Sequence, residues 1–222
     1  MNPAKDTRLL HATVVCLAEQ GFQVPSKVLA ARAGIPEPTL FRTFPTKAAL
    51  LAATYPYVLA QLTAPLAGQG PQPGERLCAV LARWWTLTAA AALAAPAVFA
   101  CWRLWRGSAR AVPGLPYGPF AAARPLLHRA LGPRSPHPTG RLPARAVVPL
   151  LAAHWAGSVE LALGTAEADR AALLGGLFAS WWASTGWPAE LPAEPAPASL
   201  SGIARLVQQY EPAGAPAATG NF

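Results

Sequence analysis

The 222-residue chain is 53% apolar, enough to bury a sizeable core, which excludes a disordered chain. Charged residues make up only 13%, and Lys plus Arg (18) exceed Asp plus Glu (10), so the formal charge of +8 reflects scarce acids and permits a nucleic-acid partner without requiring one. Cys16, Cys78 and Cys101 lie far apart with no Cys-x-x-Cys or Cys/His ligand spacing, which argues against a metal site or a disulfide framework and for a reduced compartment.

The polar start, residues 1–8, leads into no signal-like apolar segment, so a cytoplasmic protein is expected. Residues 48–74 and 84–102 carry no charge and approach membrane-spanning length. The first is interrupted by Pro56, Pro65, Pro71 and Pro73, and the second is mostly alanine and broken by Pro96, so no membrane partner is expected.

Apolar residues recur at spacings of three and four throughout, which makes the expected fold class all-α. A first helix is predicted over 6–20, with Leu10, Val14, Leu17 and Ala18 on one face, Gly21 ending it in a left-handed conformation and Phe22 folding back onto it. Two short helices follow at 26–33 and 38–44, separated by Gly34, Ile35 and Pro36. Segments of two turns do not stand alone in water, so they must share a small core with the first helix. Thr46 is placed to cap a longer helix over 47–63, which Pro56 should bend. Further helices are predicted at 74–95, 97–107, 118–132, 142–164 and 168–186. The segment 188–222, with six prolines and nine alanines, reads as an extended tail, except for a short amphipathic helix at 200–210.

Residues 26–47 suit a helix-turn-helix. Ala30 and Ala33 let two helices approach, Gly34 can take the positive φ of the sharp turn, and Ile35 fills the gap between them. Leu40 and Phe44 anchor the second helix by one side, which leaves Glu37, Pro38, Thr39, Arg42 and Thr43 free to meet a phosphate-lined groove. Arg32, Lys5 and Arg8 read as surface charges and His11 as structural.

At these residues the chain resembles the tetracycline-repressor-like (TetR/AcrR) family of bacterial transcriptional regulators. The resemblance covers about residues 7–55: Gly21-Phe22, Leu29-Ala30-Ala31-Arg32-Ala33-Gly34-Ile35, Thr39-Leu40-Phe41, Phe44-Pro45-Thr46-Lys47 and Ala49-Leu50-Leu51. It implies a DNA-binding surface of Ser26, Lys27, Glu37, Pro38, Thr39, Phe41, Arg42, Thr43 and Lys47, with Lys47 meeting a phosphate at the start of the fourth helix. Three positions depart from the family's pattern. Pro36 replaces a Ser or Thr cap, Pro38 stands where Gly or Ala is common, and Phe41 replaces Tyr, losing a phosphate-directed hydroxyl.

All eight tryptophans follow residue 80. Singly each reads as core; together they can line an apolar cavity, and the candidate pocket is Trp85, Phe99, Trp102, Trp105, Phe120, His128, His154 and Trp155. Ten arginines and no acid lie between Glu75 and Glu160, which reads either as a solvated basic surface or as a site for an anion. The last two long helices occupy the place of the family's four-helix dimer interface. Ala153, Ala156 and Gly157 would allow close approach there, while Leu174, Leu177, Phe178 and Trp181 would supply apolar area.

The sequence thus divides into a DNA-binding head (1–47), a helical ligand-binding and dimerisation body (48–187) and a tail (188–222). The expected protein is a homodimeric repressor of a pseudo-palindromic double-stranded DNA operator, released by an apolar or aromatic small-molecule effector, with Pro56 as hinge. No cofactor and no enzymatic activity are expected. The competing reading is a helical small-molecule-binding protein or enzyme that retains a non-functional head.

Overall fold

The computed structural model describes residues 3–108, 118–131, 144–191 and 193, the side chains of 3–5 and 144–145 excepted. Among them are the helices α1 (Pro3–Gln20), α2 (Ser26–Ala33), α3 (Glu37–Thr43), α4 (Lys47–Thr63), α5 (Leu77–Ala94), α6 (Pro96–Arg106), α7 (Ala123–Leu131), α8 (Ala144–Leu163) and α9 (Glu167–Thr185). The all-α reading holds. The helix predicted from residue 118 begins at Ala123, because 118–122 form turns, and α1 starts three residues earlier than expected, at Pro3.

In α1 burial is wider than the expected single face: Leu9, Leu10, Thr13, Val14, Cys16 and Leu17 are all buried. The helix packs against α2 on one side and against α4 and α6 on others, so one apolar stripe would not suffice. The Thr13 hydroxyl donates to the Leu9 carbonyl at 2.8 Å and stays satisfied inside. Gly21 ends the helix with φ +70°, as predicted. Phe22, in the turn that packs on α1, meets Trp105 of α6 edge to face.

Thr46 caps α4, its Oγ1 accepting from the Ala49 N–H at 3.0 Å. Pro56 lies buried inside that helix, which continues on both sides of it. From Thr54 to Ala60 every residue of α4 is buried, since head and body close on it from both directions. Thr54 and Thr63 return their hydroxyls to the carbonyls of Leu50 and Leu59.

The windows Leu77–Ala94 and Ala146–Leu163 are long and apolar enough to cross a membrane, each with mean hydropathy 1.5. Both pack part of their length into the protein core, each window 44% buried, while α8 leaves Leu150, Leu161 and Leu163 exposed. Leu77, Val80, Leu81, Trp84 and Trp85 of α5 and Val147, Leu151, Trp155 and Val159 of α8 are buried. One contiguous apolar cluster runs from Leu9 in the head to Ala193 beyond α9.

The start of the expected tail belongs to this body. Leu191 and Ala193 are buried, the Leu77 N–H donates to the Leu191 carbonyl at 2.7 Å, and the Ala193 N–H donates to the Glu75 carbonyl at 2.8 Å. A short extended pairing therefore fastens the chain after α9 to the beginning of α5, and Trp187 packs edge-on against Trp181 and Trp182. The rest of the tail, including the helix predicted at 200–210, lies outside the described residues.

Candidate nucleic-acid interface and effector core

The turn between α2 and α3 follows from Gly34. It sits at φ +68°, its N–H donates to the Ala31 carbonyl, and the Ile35 N–H reaches back to the Ala30 carbonyl, each at 3.0 Å. This doubly bonded C-terminus directs the chain sharply into α3. Pro36 supplies no side-chain cap; its carbonyl accepts instead from the N–H groups of Thr39 and Leu40 at 2.9 and 3.3 Å. The fixed φ of Pro36 and of Pro38 in the first turn holds the start of α3 in place of the missing hydroxyl.

Leu40 is fully buried and Phe44 packs on the core beside it, so α3 is held by one side only. Its opposite side is open. Pro38 and Arg42 are exposed, Phe41 shows 38% of its surface, and Glu37, Thr39 and Thr43 are half-buried at the margins. Thr43 donates to the Thr39 carbonyl at 3.3 Å, a bond it can exchange for an external acceptor. Lys27 on α2 is exposed and Ser26 is half-buried at the start of that helix.

Lys47 is more constrained than the sequence indicates. Its Nζ donates to the Phe22 carbonyl at 2.8 Å, which ties the first residue of α4 to the turn after α1. Arg32, expected to be a solvated charge, forms an exposed ion pair with Glu19. His11 is exposed rather than structural.

In the body, Trp85, Phe99, Trp102, Phe120 and Trp155 of the expected pocket come together in one cluster, all buried. Trp102 and Trp155 meet edge to face at 5.3 Å between centroids, and Phe120 lies between Trp85 and Trp155 at 6.3 and 5.8 Å. His154 borders the cluster, 5.8 Å from Trp85, with Nε2 held 3.2 Å from the Leu177 carbonyl. Two residues of the expected pocket are elsewhere. His128 is exposed, because α7 buries Ala123, Leu126, Leu127 and Leu131 and leaves it on the outer side. Trp105 stands at the seam between head and body, against Phe22 and Tyr55.

The expected dimer residues also divide. Ala156, Leu174, Phe178 and Trp181 are buried within the protomer, where Phe178 packs on Trp85 and Trp182. Their apolar area is largely covered within the chain itself. Ala153, Gly157 and Leu177 remain partly open, and the outer face of α9 presents Ala168, Ala172, Gly175, Gly176, Ala179 and Ala183. Leu150 and Leu161 stand exposed on α8, at 41% and 58%.

The arginine-rich stretch is partly neutralised. Arg83 pairs with Glu75, and Arg103 of α6 with Glu160 of α8. The Arg83 guanidinium, by hydrogen bonding, holds the Glu75 carboxyl below the ordinary carboxylate range, and the Gln72 N–H adds to this. Burial pushes the thiols of Cys16, Cys78 and Cys101 up, so none is a ready nucleophile.

Comparison with known proteins agrees with this geometry. Residues 9–54 match the family model of bacterial regulatory proteins, tetR family. No curated protein matches the chain. A solved structure from Shewanella sp. PV-4, assigned to the tetR family of transcription regulators, is 18% identical with a TM-score of 0.66, covering 81% of this chain and 97% of that one. At that identity the likeness is one of fold, over the covered 81% of this chain, while the family match itself is confined to residues 9–54.

Proposed function

Proceeding from a tetR-type DNA-binding head on an all-α body, we propose that the protein is a cytoplasmic, homodimeric, ligand-responsive repressor of a pseudo-palindromic operator. The observation that carries this reading is the arrangement of α3. It is anchored by Leu40 on its inner side and leaves Pro38, Phe41 and Arg42 uncovered on the outer one. Helix-turn-helix proteins use such a surface in the major groove, where Arg42 can reach base edges while Phe41 and Pro38 meet thymine methyl groups.

Two heads on one dimer must enter grooves a fixed distance apart, about 34–36 Å or a related spacing. An effector that favours another spacing lowers operator affinity by its preference for that state. In this reading the effector acts at the buried aromatic cluster, the contacts of α4 and α6 with α1 and α5 support a route from it to the head, and Pro56 in α4 is the hinge.

Selection of genomic fragments by the purified protein tests the reading. The expected result is an inverted-repeat site whose affinity falls steeply with salt. Binding that ignores sequence and salt would instead favour a helical small-molecule-binding protein with an inactive head.

A further inference from the structure

The aromatic cluster of the body contains hydrogen-bond donors with nothing to donate to. The indole Nε1 atoms of Trp85, Trp102 and Trp155 are buried and have no acceptor. Buried indoles ordinarily find one. Trp84 of the same chain does so, its N–H donating to the Gln69 carbonyl at 2.7 Å. Among the described residues the other unpartnered buried side-chain donors are Arg83 Nε and Trp187 Nε1, so three of the five fall in one cluster.

The three rings are contiguous. Trp102 meets Trp155 directly, Phe120 joins Trp155 to Trp85, and Phe99 packs on both Trp102 and Trp155 at 6.0 and 5.6 Å. They come from α5, α6 and α8, so the unpartnered donors of the cluster belong to three helices.

We propose that Trp85, Trp102 and Trp155 are the recognition donors for the effector, and that the effector is an uncharged aromatic compound whose polar groups are acceptors, such as ketone or quinone oxygens. The proposal rests on the ligand-responsive reading above for its biological role. Neutral N–H groups suit neutral acceptors, because an ionised ligand buried here would need a buried counter-charge. Among the described residues two exposed arginines meet rings of the cluster: Arg103 lies 6.0 Å from the Phe99 centroid and is paired with Glu160, and Arg106 lies 5.7 Å from the Trp102 centroid. An amine gains nothing from donors, and a plain hydrocarbon leaves all three unpaired. A site built this way discriminates by the acceptor, since apolar area alone distinguishes poorly between molecules of one shape.

The test uses the full chain with 15N-labelled tryptophan, its indole resonances assigned with Trp85→Phe, Trp102→Phe and Trp155→Phe, which remove the N–H and keep an aromatic ring. In the free protein the three protons should resonate at the upfield, unbonded end of the indole range. On titration with 9-fluorenone, Trp102 and Trp155 should move downfield, and fluorenone should bind at least tenfold more tightly than fluorene, the same skeleton without the oxygen. Trp102→Phe and Trp155→Phe should remove most of that preference, bringing the ratio of the two Kd values toward one whatever the change in the Kd for fluorene itself. Downfield, water-exchanging indoles in the free protein would overturn the proposal, because internal water would then fill the role. So would equal affinity for the two probes, or no shift at these indoles with either. The wild-type affinities for the two probes decide even where a variant fails to fold. Because binding is read without DNA, a fluorenone complex that leaves operator affinity unchanged supports the donor site and refutes ligand response, and the reverse failure leaves operator binding standing.

Discussion

Phe22 meets Trp105 edge to face, with 5.0 Å between ring centroids and planes at 88°, and this contact joins the turn after α1 to α6. Tyr55 of α4 completes the seam at 5.6 Å from the same indole. Two elements, the turn after α1 and α4, thus converge on one side chain of α6, and Trp102, one turn earlier on α6, lies in the aromatic cluster. A rotation of α6 that repositions Trp102 must also move Trp105, and with it Phe22, whose carbonyl holds Lys47.

Trp105→Ala should therefore lower stability by about 3–5 kcal/mol, the usual cost of emptying a buried aromatic site. A double-mutant cycle with Phe22→Ala, followed by urea denaturation, should give a coupling of about 1 kcal/mol. Strictly additive losses would mean that the two rings touch without cooperating. Trp105→Phe, which keeps a ring at the seam, should cost less than half as much.

Under the proposed function Lys47 serves a DNA phosphate as well as the Phe22 carbonyl. Lys47→Ala should weaken binding to operator and to random DNA alike, and reduce the slope of log K against log salt by about one counterion. Loss of its bond to the Phe22 carbonyl should also lower stability by about 1–3 kcal/mol, as for other hydrogen bonds from charged groups. Arg42→Ala and Lys27→Ala, both at exposed positions, should change base preference with little effect on stability. Unchanged preference in both variants, measured on a randomised operator library, would remove α2 and α3 from the reading of bases.

What was legible in the sequence was what is local. Gly34, Ile35 and Leu40 declare the helix-turn-helix because the turn's φ and the helix spacing are set within a few residues. The bond from Lys47 to the Phe22 carbonyl spans 25 residues and depends on how α1 and α4 pack, for which no local signal exists. His128 was readable: Ala123, Leu127 and Leu131 recur every four residues and fix the buried face of α7, and His128 is off it. Leu174, Phe178 and Trp181 show the remaining difficulty. Their spacing marks an apolar stripe, yet a stripe does not say whether α5 of the same chain or a second copy will cover it, and here Trp85 does.

The Glu75–Arg83 pair should make stability depend on acid. Hydrogen bonds from Arg83, and the Gln72 N–H at 2.9 Å, favour the charged carboxylate in the folded state, so its pKa lies below the unfolded value of about 4.3. Folding then gains stability that is fully present above the unfolded pKa and is lost as pH falls through the folded one. Glu75→Gln should cost about 1–2 kcal/mol at pH 7 and progressively less below pH 4, read from urea midpoints across that range. A constant difference at all pH values would show that the residue acts through packing alone. The pair also orders the loop before α5, since Arg83 reaches the carbonyls of Gln69 and Gly70 at 3.4 and 3.2 Å.

Association of two copies through α8 and α9 can be tested without harming the protomer. A Cβ built on Gly175 or Gly176 meets nothing within 4 Å, and both residues lie on the exposed face of α9. Replacing helical glycine with leucine raises helix propensity by about 0.8 kcal/mol at each site, so Gly175→Leu with Gly176→Leu should fold at least as well as the parent. If the small-residue face of α9 seats a second copy at close range, two leucines hold the helices apart, because interhelical distance is set by the side chains at the crossing. Light scattering should then report half the parent's mass, and operator binding should weaken as the paired heads are lost. An unchanged mass would move the interface elsewhere, with the exposed Leu150 and Leu161 of α8 as the next positions to alter.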